Sequence, residues 1–336
     1  MLKPIEPVTY HPLNLEAPLT VRFDGRLIIG ESNGAEVLRG SVENIGPEVK
    51  LHLSGSLMKA APTLVEHVLS HFTKIQQMVV TGAEATSLGE SSSLKRFIQE
   101  SGEIRLSREE FYQLPDAWMR PRPPRGESEE WTETNGVRHP VRPTMEPGVF
   151  YRRYVPSIQK TISFRTIDIE RDLERFHNWH NQPRISHIWE LNKSMDELRV
   201  YLENGQKDPH QFPAILEYDG EPAGYFEFYW ASEDRIAPYY DHAPYDRGFH
   251  FLVGEKKFLG RANTKAMFHS VTHYLFLDDE RTMRIVAEPR ADNKAVLAYV
   301  TLVPGWRFVK EFDFPHKRAA LLSAGRKEYF RNGVES

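Results

Sequence analysis

The sequence predicts an α+β protein in two parts: a smaller α+β domain, then a larger one built on a mixed sheet flanked by helices. Three observations carry this reading. At 336 residues the chain exceeds the usual single-domain size. Residues 115–148 hold seven of the 23 prolines, and proline cannot donate to a helix or a sheet ladder. Beyond them, strand and helix patterns alternate until an apolar strand breaks at "VGEKKFLGRANTKAMF", residues 253–268. The expected organisation is a domain at 1–114, a connector at 115–148 and a domain at 149–336.

In the first part, "LTVRFDGRLIIG", "EVLRGSVE" and "VKLHLSG" alternate as strands do. "APTLVEHVLSHFTKI" reads as a helix and "QQMVVTG" as a buried strand, and no chemical motif appears among them. After the connector, "TISFRTIDI" reads as a strand, while "ERDLERFHNWHN" and "SMDELRVYLENG" carry apolar residues at helical spacing. "FPAILEYDGEPAGYFEFYW" is two strands around a turn whose Asp-Gly favours the positive φ a tight hairpin needs. "RGFHFLVG" is the next strand. Met267, Val271, Tyr274 and Leu275 then fall at i, i+4, i+7 and i+8, one apolar stripe of a helix starting near Asn263 or Thr264. "TMRIVAEP" is a strand, "NKAVLAYVTLV" a helix, and "RFVKEFDFP" with "RAALLSAGR" two closing strands.

Composition removes several classes of function. Forty-three Lys and Arg against 47 Asp and Glu leave no basic surplus for a polyphosphate backbone, so nucleic acid is not an expected partner. With no cysteine there is no disulfide framework, thiolate ligand or thiol nucleophile. The N-terminus has no apolar run of signal-peptide kind and no stretch has the apolar length of a membrane span, which reads as a cytoplasmic protein off the membrane. Three histidine pairs sit at helical spacing: His67 with His71, His177 with His180, and His269 with His273. None carries the carboxylate of an H-E-x-x-H arrangement, so no metal is expected.

The break after Val253 holds the chemistry. A strand that stops at Gly254, a turn and a helix start leave amides without intrachain partners, and the helix dipole adds to their attraction for an anion. Two linked phosphates suit such a notch. Within it Lys257, Gly260 and Ala262 form a K-x-x-G-x-A pattern, which resembles the pyrophosphate loop of the GCN5-related N-acetyltransferases. The order of elements is similar to that fold, whose central sheet is splayed. "FEFYWASEDRIAPYY", "PYDRGFHFLVGE", "VTHYLFLDDERTMRIVAEPRADN" and "KEFDFPHKRAAL" resemble the siderophore hydroxamate branch of that superfamily, and the likeness runs from about Tyr151 to the C-terminal "EYF".

The resemblance implies acyl transfer from acyl-CoA, with acetyl as the expected group, to an N-hydroxylated lysine, ornithine or related diamine. Expected partners are that small molecule and other siderophore-assembly enzymes. It implies a cofactor site made by Leu252, Val253, Lys257, Gly260, Arg261, Ala262, Asn263, Thr264 and Asn293. His250, four residues before Gly254 and on the face of Leu252, is the implied base, titrating near its ordinary value; a hydrogen-bonded core histidine is the alternative reading. Glu288 or Asp292 in "EPRADN" would assist it, although an ion pair of Asp292 with Arg290 accounts for that residue equally well. In "ASEDRIAPYYDHAPYDRG", Glu233, Asp234, Arg235, Asp246 and Arg247 would hold the two charged ends of an amino-acid substrate, unless the loop pairs with itself. Trp189, Glu190 and His316 are further pocket residues. Two other functions remain open on the sequence: an aminoglycoside or polyamine N-acetyltransferase, and a non-catalytic acyl-CoA binding scaffold.

Overall fold

A computed structural model describes residues 2–82, 92–122, 129–134 and 136–333; residues 123–128 and 135 of the expected connector lie outside it. The chain divides into two compact units, Met1–Arg122 with Tyr151–Gln159, and Pro123–Phe150 with Lys160–Gly333. No helix among the described residues is long and apolar enough to cross a membrane.

The first unit carries a seven-stranded sheet in chain order: β1 (Ile5–Tyr10), β2 (Leu19–Phe23), β3 (Leu27–Ser32), β4 (Ala35–Ile45), β5 (Glu48–Gly55), β6 (Gln77–Thr81) and β7 (Ile104–Ser107). Only β5 and β6 run parallel, and the crossover between them is helix α1 (Ala61–His71), as parallel neighbours require. Leu51 and Leu53 of the sheet and Leu64 and Val68 of the helix are fully buried. A four-residue helix, α2 (Arg108–Phe111), follows β7 behind a Ser107–Glu110 capping box. Within the proline-rich stretch, β8 (Trp131–Thr134) and β9 (Val137–Pro140) form a small hairpin that the composition did not announce. Strand β10 (Val149–Val155) spans the boundary between the units.

The second unit holds β11 (Lys160–Thr166), α3 (Ile169–His180), α4 (Pro183–Trp189), α5 (Met195–Lys207), β12 (Gln211–Tyr218), β13 (Glu221–Trp230), β14 (Arg247–Val253), α6 (Arg261–Asp278), β15 (Arg284–Ala287), α7 (Lys294–Val300), β16 (Trp306–Asp313), β17 (Arg318–Gly325) and α8 (Arg326–Gly333). Its strands lie in the order β11-β12-β13-β14-β15-β17-β16. The β12–β13 turn has φ of 52° at Asp219 and 78° at Gly220, the conformation expected of that Asp-Gly pair. The expected first strand stops at Thr166, because Asp168 accepts the amides of Glu170 and Arg171 and starts α3. Helix α4 adds a third helix to the two expected before β12.

One feature of the sheet positions everything that follows. Strand β13 accompanies β14 from Arg247 to Val253, whereas the parallel partner β15 stays with it only at Arg247 and Gly248. From Phe249 onward β14 and β15 part, opening a wedge on one side of β14. Helices α3 and α5 back the strand, with Phe176, Trp179, Leu198, Leu202, Tyr225 and Leu252 in one buried cluster.

Candidate active site

At the wedge, β14 presents His250 with its side chain 21% exposed. Register pairs His250 with Glu227 on β13, and alternation puts Tyr225, Glu227 and Tyr229 on one face. The imidazole Nδ1 lies 3.1 Å from Glu227 Oε2, and Nε2 lies 2.8 Å from Glu288 Oε1. Both carboxylates are buried, at 8% and 1% side-chain exposure. Tyr201 (2.5 Å) and Tyr225 (3.0 Å) donate to Glu227 Oε1, and Tyr229 donates to Glu288 Oε2 at 2.8 Å. Each carboxylate is thus held by a hydroxyl on one side and by the imidazole on the other.

The electrostatics follow from this sandwich. Burial opposes charge on His250, but Glu288 and Glu227 outweigh it and raise its pKa to about 10. Burial pushes Glu227 and Glu288 up, yet the facing imidazolium and their donors leave both below the ordinary carboxylate range. At neutral pH the ring therefore carries a proton on each nitrogen, one towards each carboxylate, and the trio has a net negative charge. The resting ring has no lone pair to accept a proton, which corrects the expectation of a histidine titrating near 6.5. Glu227 escaped the sequence reading; its signal was a single acid in the aromatic run "GYFEFYW", opposite His250 once the two strands are registered.

The two candidate partners of His250 separate cleanly. Glu288 is the carboxylate on the ring, while Asp292 is 71% exposed and paired with Arg290 at 3.1 Å, away from it. Of the loop residues, Glu233 is taken by Arg142 (2.6 Å) and His139 (3.1 Å), Asp246 by Arg284 (2.6 Å) and Arg247 by Asp278 (2.5 Å), all buried except Arg284, whose side chain is a third exposed. These pairings hold the loop in place and already match the charges of Glu233, Asp246 and Arg247. Asp234 caps the turn by accepting the Ile236 amide at 3.0 Å. Arg235 alone of this set faces the site, with its guanidinium 3.7 Å from Glu288 and half exposed. Trp189 stands edge-on to the His250 ring at 6.4 Å. Glu190 ends α4 in left-handed conformation with its side chain outside, and His316 stacks on Phe314 at 5.4 Å. Lys317, not singled out by sequence, donates to the Glu288 carbonyl at 2.7 Å.

The turn after β14 is tighter than expected. The amides of Gly254 and Glu255 both donate to the Ala223 carbonyl (2.8 and 3.0 Å), and a 3₁₀ turn, Lys256–Phe258, follows. Gly260, at φ 119°, then begins α6 without any side-chain cap. The first-turn amides of Arg261, Ala262 and Asn263 are therefore the open donors, and the 18-residue helix points its positive end at the same place. Thr264 already lies inside the helix, with its amide on the Gly260 carbonyl at 2.9 Å. Lys257 is ion-paired to Glu221 at the surface, and Asn293 caps α7 by accepting the Val296 amide at 3.2 Å. Gly254 is fixed by close approach, since a Cβ there would lie 2.2 Å from the Trp179 ring. Its carbonyl accepts from Gln182 (3.2 Å) and Arg184 (2.5 Å). Beside it lies a cleft of about 610 Å³ lined by Gln182, Pro183, Arg184, Gly254, Glu255, Lys256 and Lys257. Open amides, cations and a cleft at one strand end fit a phosphate-bearing ligand. Among the described residues, no group of three His, Asp or Glu is placed to hold a metal ion.

Comparison with known proteins is consistent with this geometry. Residues 168–314 match the acetyltransferase (GNAT) domain family. The chain is 39% identical over 242 residues to the Escherichia coli protein named N(6)-hydroxylysine O-acetyltransferase, covering 72% of this chain and 76% of that one. It is 42% identical over 197 residues to the Beauveria bassiana N(5)-hydroxyornithine:cis-anhydromevalonyl coenzyme A-N(5)-transacylase, covering 57% of this chain and 43% of the relative. Among solved structures, an uncharacterised protein of Bacillus halodurans superposes with a TM-score of 0.52 at 27% identity, over 56% of this chain and 95% of its own.

Proposed function

The chain belongs to the siderophore hydroxamate branch of the GCN5-related N-acetyltransferases, and on that premise we propose how its site works. It is an acyl-CoA-dependent N-acyltransferase that converts an N-hydroxylated diamino acid or diamine into a hydroxamate, with acetyl as the transferred group. The catalytic part is the second unit, Pro123–Phe150 with Lys160–Gly333, rather than a domain set off by a free connector; the first unit is accessory to it, and the reaction is assigned to the cytoplasm.

The pyrophosphate is assigned to the amides of Arg261, Ala262 and Asn263, with Lys256, Lys257 and Arg184 as nearby cations. The thioester then lies along the open edge of β14 at Leu252 and Val253, within reach of His250. A hydroxylamine nitrogen is less basic than an alkyl amine and is largely neutral at pH 7, so it attacks without prior deprotonation. As the C–N bond forms and the C–S bond breaks, one proton must leave nitrogen and one must reach sulfur. The cluster of Glu227, His250 and Glu288 handles both: the imidazolium supplies a proton to the departing thiolate, and the cluster takes the nitrogen proton back. No external base is consumed, and the ring ends as it began.

One observation carries this reading, the imidazolium held between two buried carboxylates where β14 leaves β15. The test mixes acetyl-CoA with N6-hydroxylysine or lysine and follows thiol release together with the coloured ferric complex, which an N-acyl product forms and an O-acyl product does not. Turnover of the hydroxylamine only, with colour, and its loss in His250→Ala while acetyl-CoA still binds, are the expected results. Undiminished turnover in His250→Ala would end the assignment.

A further inference from the structure

The wedge that holds the reaction has an apex, and a residue of the proline-rich stretch is packed against it. Gly248 and Val286 make the last ladder pair between β14 and β15. His250 and Glu288 stand two residues beyond each of these, so their 2.8 Å bond is the first contact across the opening. Its length depends on how the apex is held. Register places Trp230 opposite Arg247 and Tyr229 opposite Gly248 at that point. A Cβ on Gly248 would lie 2.2 Å from the Tyr229 ring, which crosses the bare glycine to reach Glu288.

Arg142 reaches the apex from the segment Pro140-Val141-Arg142-Pro143, in which the following proline disfavours a helical backbone at Arg142 and holds it extended. Its side chain is 1% exposed. The guanidinium grips Glu233 with two nitrogens, at 2.6 and 2.7 Å, and Nη2 also donates to Ser232 Oγ (3.1 Å) and to the Pro244 carbonyl (2.7 Å). Both ends of the 231–246 loop are thus tied to one side chain. The same guanidinium lies 4.1 Å from the Trp230 ring centroid, and that of Arg247 lies 4.0 Å from it. Arg247 is anchored in turn on Asp278 of α6 at 2.5 Å. Two guanidiniums, each with a buried carboxylate, therefore lie against one indole where β13, β14 and β15 are still joined.

We propose that Arg142 is a positioning residue for the proton-carrying pair: it clamps the strand ends at the apex and so fixes Glu288 against His250. The inference rests on the acyltransferase reading above and makes the proline-rich stretch part of the catalytic scaffold. Loss of the clamp should leave the far end of β14 in place, because Gly254 is held separately by Ala223, Gln182 and Arg184. Chemistry should suffer and cofactor binding should not.

The test follows Arg142→Gln and Arg142→Lys with acetyl-CoA and N6-hydroxylysine. Calorimetric binding of acetyl-CoA at full stoichiometry and wild-type affinity shows that the catalytic unit is folded. In such protein Arg142→Gln is expected to lower kcat on the order of 10–100-fold, the effect of displacing a reacting group by about 1 Å, with the KM for acetyl-CoA within about twofold. Nitrogen NMR should show the His250 ring losing its proton at a lower pH than in the wild type, as Glu288 recedes. Arg142→Lys keeps a charge opposite Glu233 but has no flat fork to join Ser232, Pro244 and the indole, so it should recover Tm without recovering kcat. Should Arg142→Gln not fold, this milder variant carries the test alone. Wild-type kcat and an unmoved ring midpoint in either folded variant, or a kcat that returns in step with Tm in Arg142→Lys, would overturn the inference. Ring titration needs no turnover, so a wild type that acylates no hydroxylamine would sink the acyltransferase reading and leave the positioning role to be judged on the ring.

Discussion

Replacing Glu227 by glutamine isolates one half of the cluster. Glutamine keeps an acceptor for Tyr201 and Tyr225 and nearly the same shape, but its NH2 then faces His250 Nδ1 where Oε2 stood at 3.1 Å, so the change removes both a charge and the acceptor of the ring N–H. His250 is raised from 6.5 to about 10 by Glu288 and Glu227 against the cost of burial. Glu288, at 2.8 Å, remains. Losing the more distant carboxylate should lower the ring pKa by on the order of one to two pH units, about 1.4–2.7 kcal/mol of imidazolium stabilisation. The assay is a titration of the histidine ring by nitrogen NMR, with the His250 signals identified by their absence in His250→Asn. In the wild type the ring should remain protonated through pH 8, and in Glu227→Gln its midpoint should fall towards neutrality. Stability moves with it. A raised pKa contributes stability that is complete below pH 6.5 and is lost as pH rises through about 10, so the alkaline fall in Tm should begin earlier in the variant. A wild-type midpoint near 6.5, or the same midpoint in both proteins, would refute the reasoning.

Glu288→Gln should lower kcat by on the order of 10²–10⁴, whereas Asp292→Asn, which alters a solvent-exposed pair, should stay within about twofold; steady-state rates with acetyl-CoA separate the two, and equal losses would return Asp292 to the mechanism. Gly254→Ala places a Cβ 2.2 Å from the Trp179 ring and should cost about 1–3 kcal/mol, read as a lower denaturation midpoint together with weaker acetyl-CoA binding by calorimetry. A variant as stable as wild type with unchanged affinity would show that the indole is free to move.

Legibility in the sequence divides along a physical line. Elements long enough to display a period were readable: the stripe of Met267, Val271, Tyr274 and Leu275 is fully buried on α6, and the Asp219–Gly220 turn adopts the φ its residues favour. Helix α4 was not, because seven residues give too few turns for a period to emerge. Residue types around the site were readable too, but pairing was not. The partners that cancel Glu233, Asp246 and Arg247 stand 91, 38 and 31 positions away along the chain, and no local pattern links them. Glu227 shows the same limit from the other side. On β13 an acid among aromatics reads as a solvent-facing alternation, and only the register with β14 turns it inward onto His250. A charged loop therefore announces that a polar site is near without saying which charges remain for a ligand. That remainder, set by long-range pairing, is Arg235 at the rim and an imidazolium held between two glutamates beneath it.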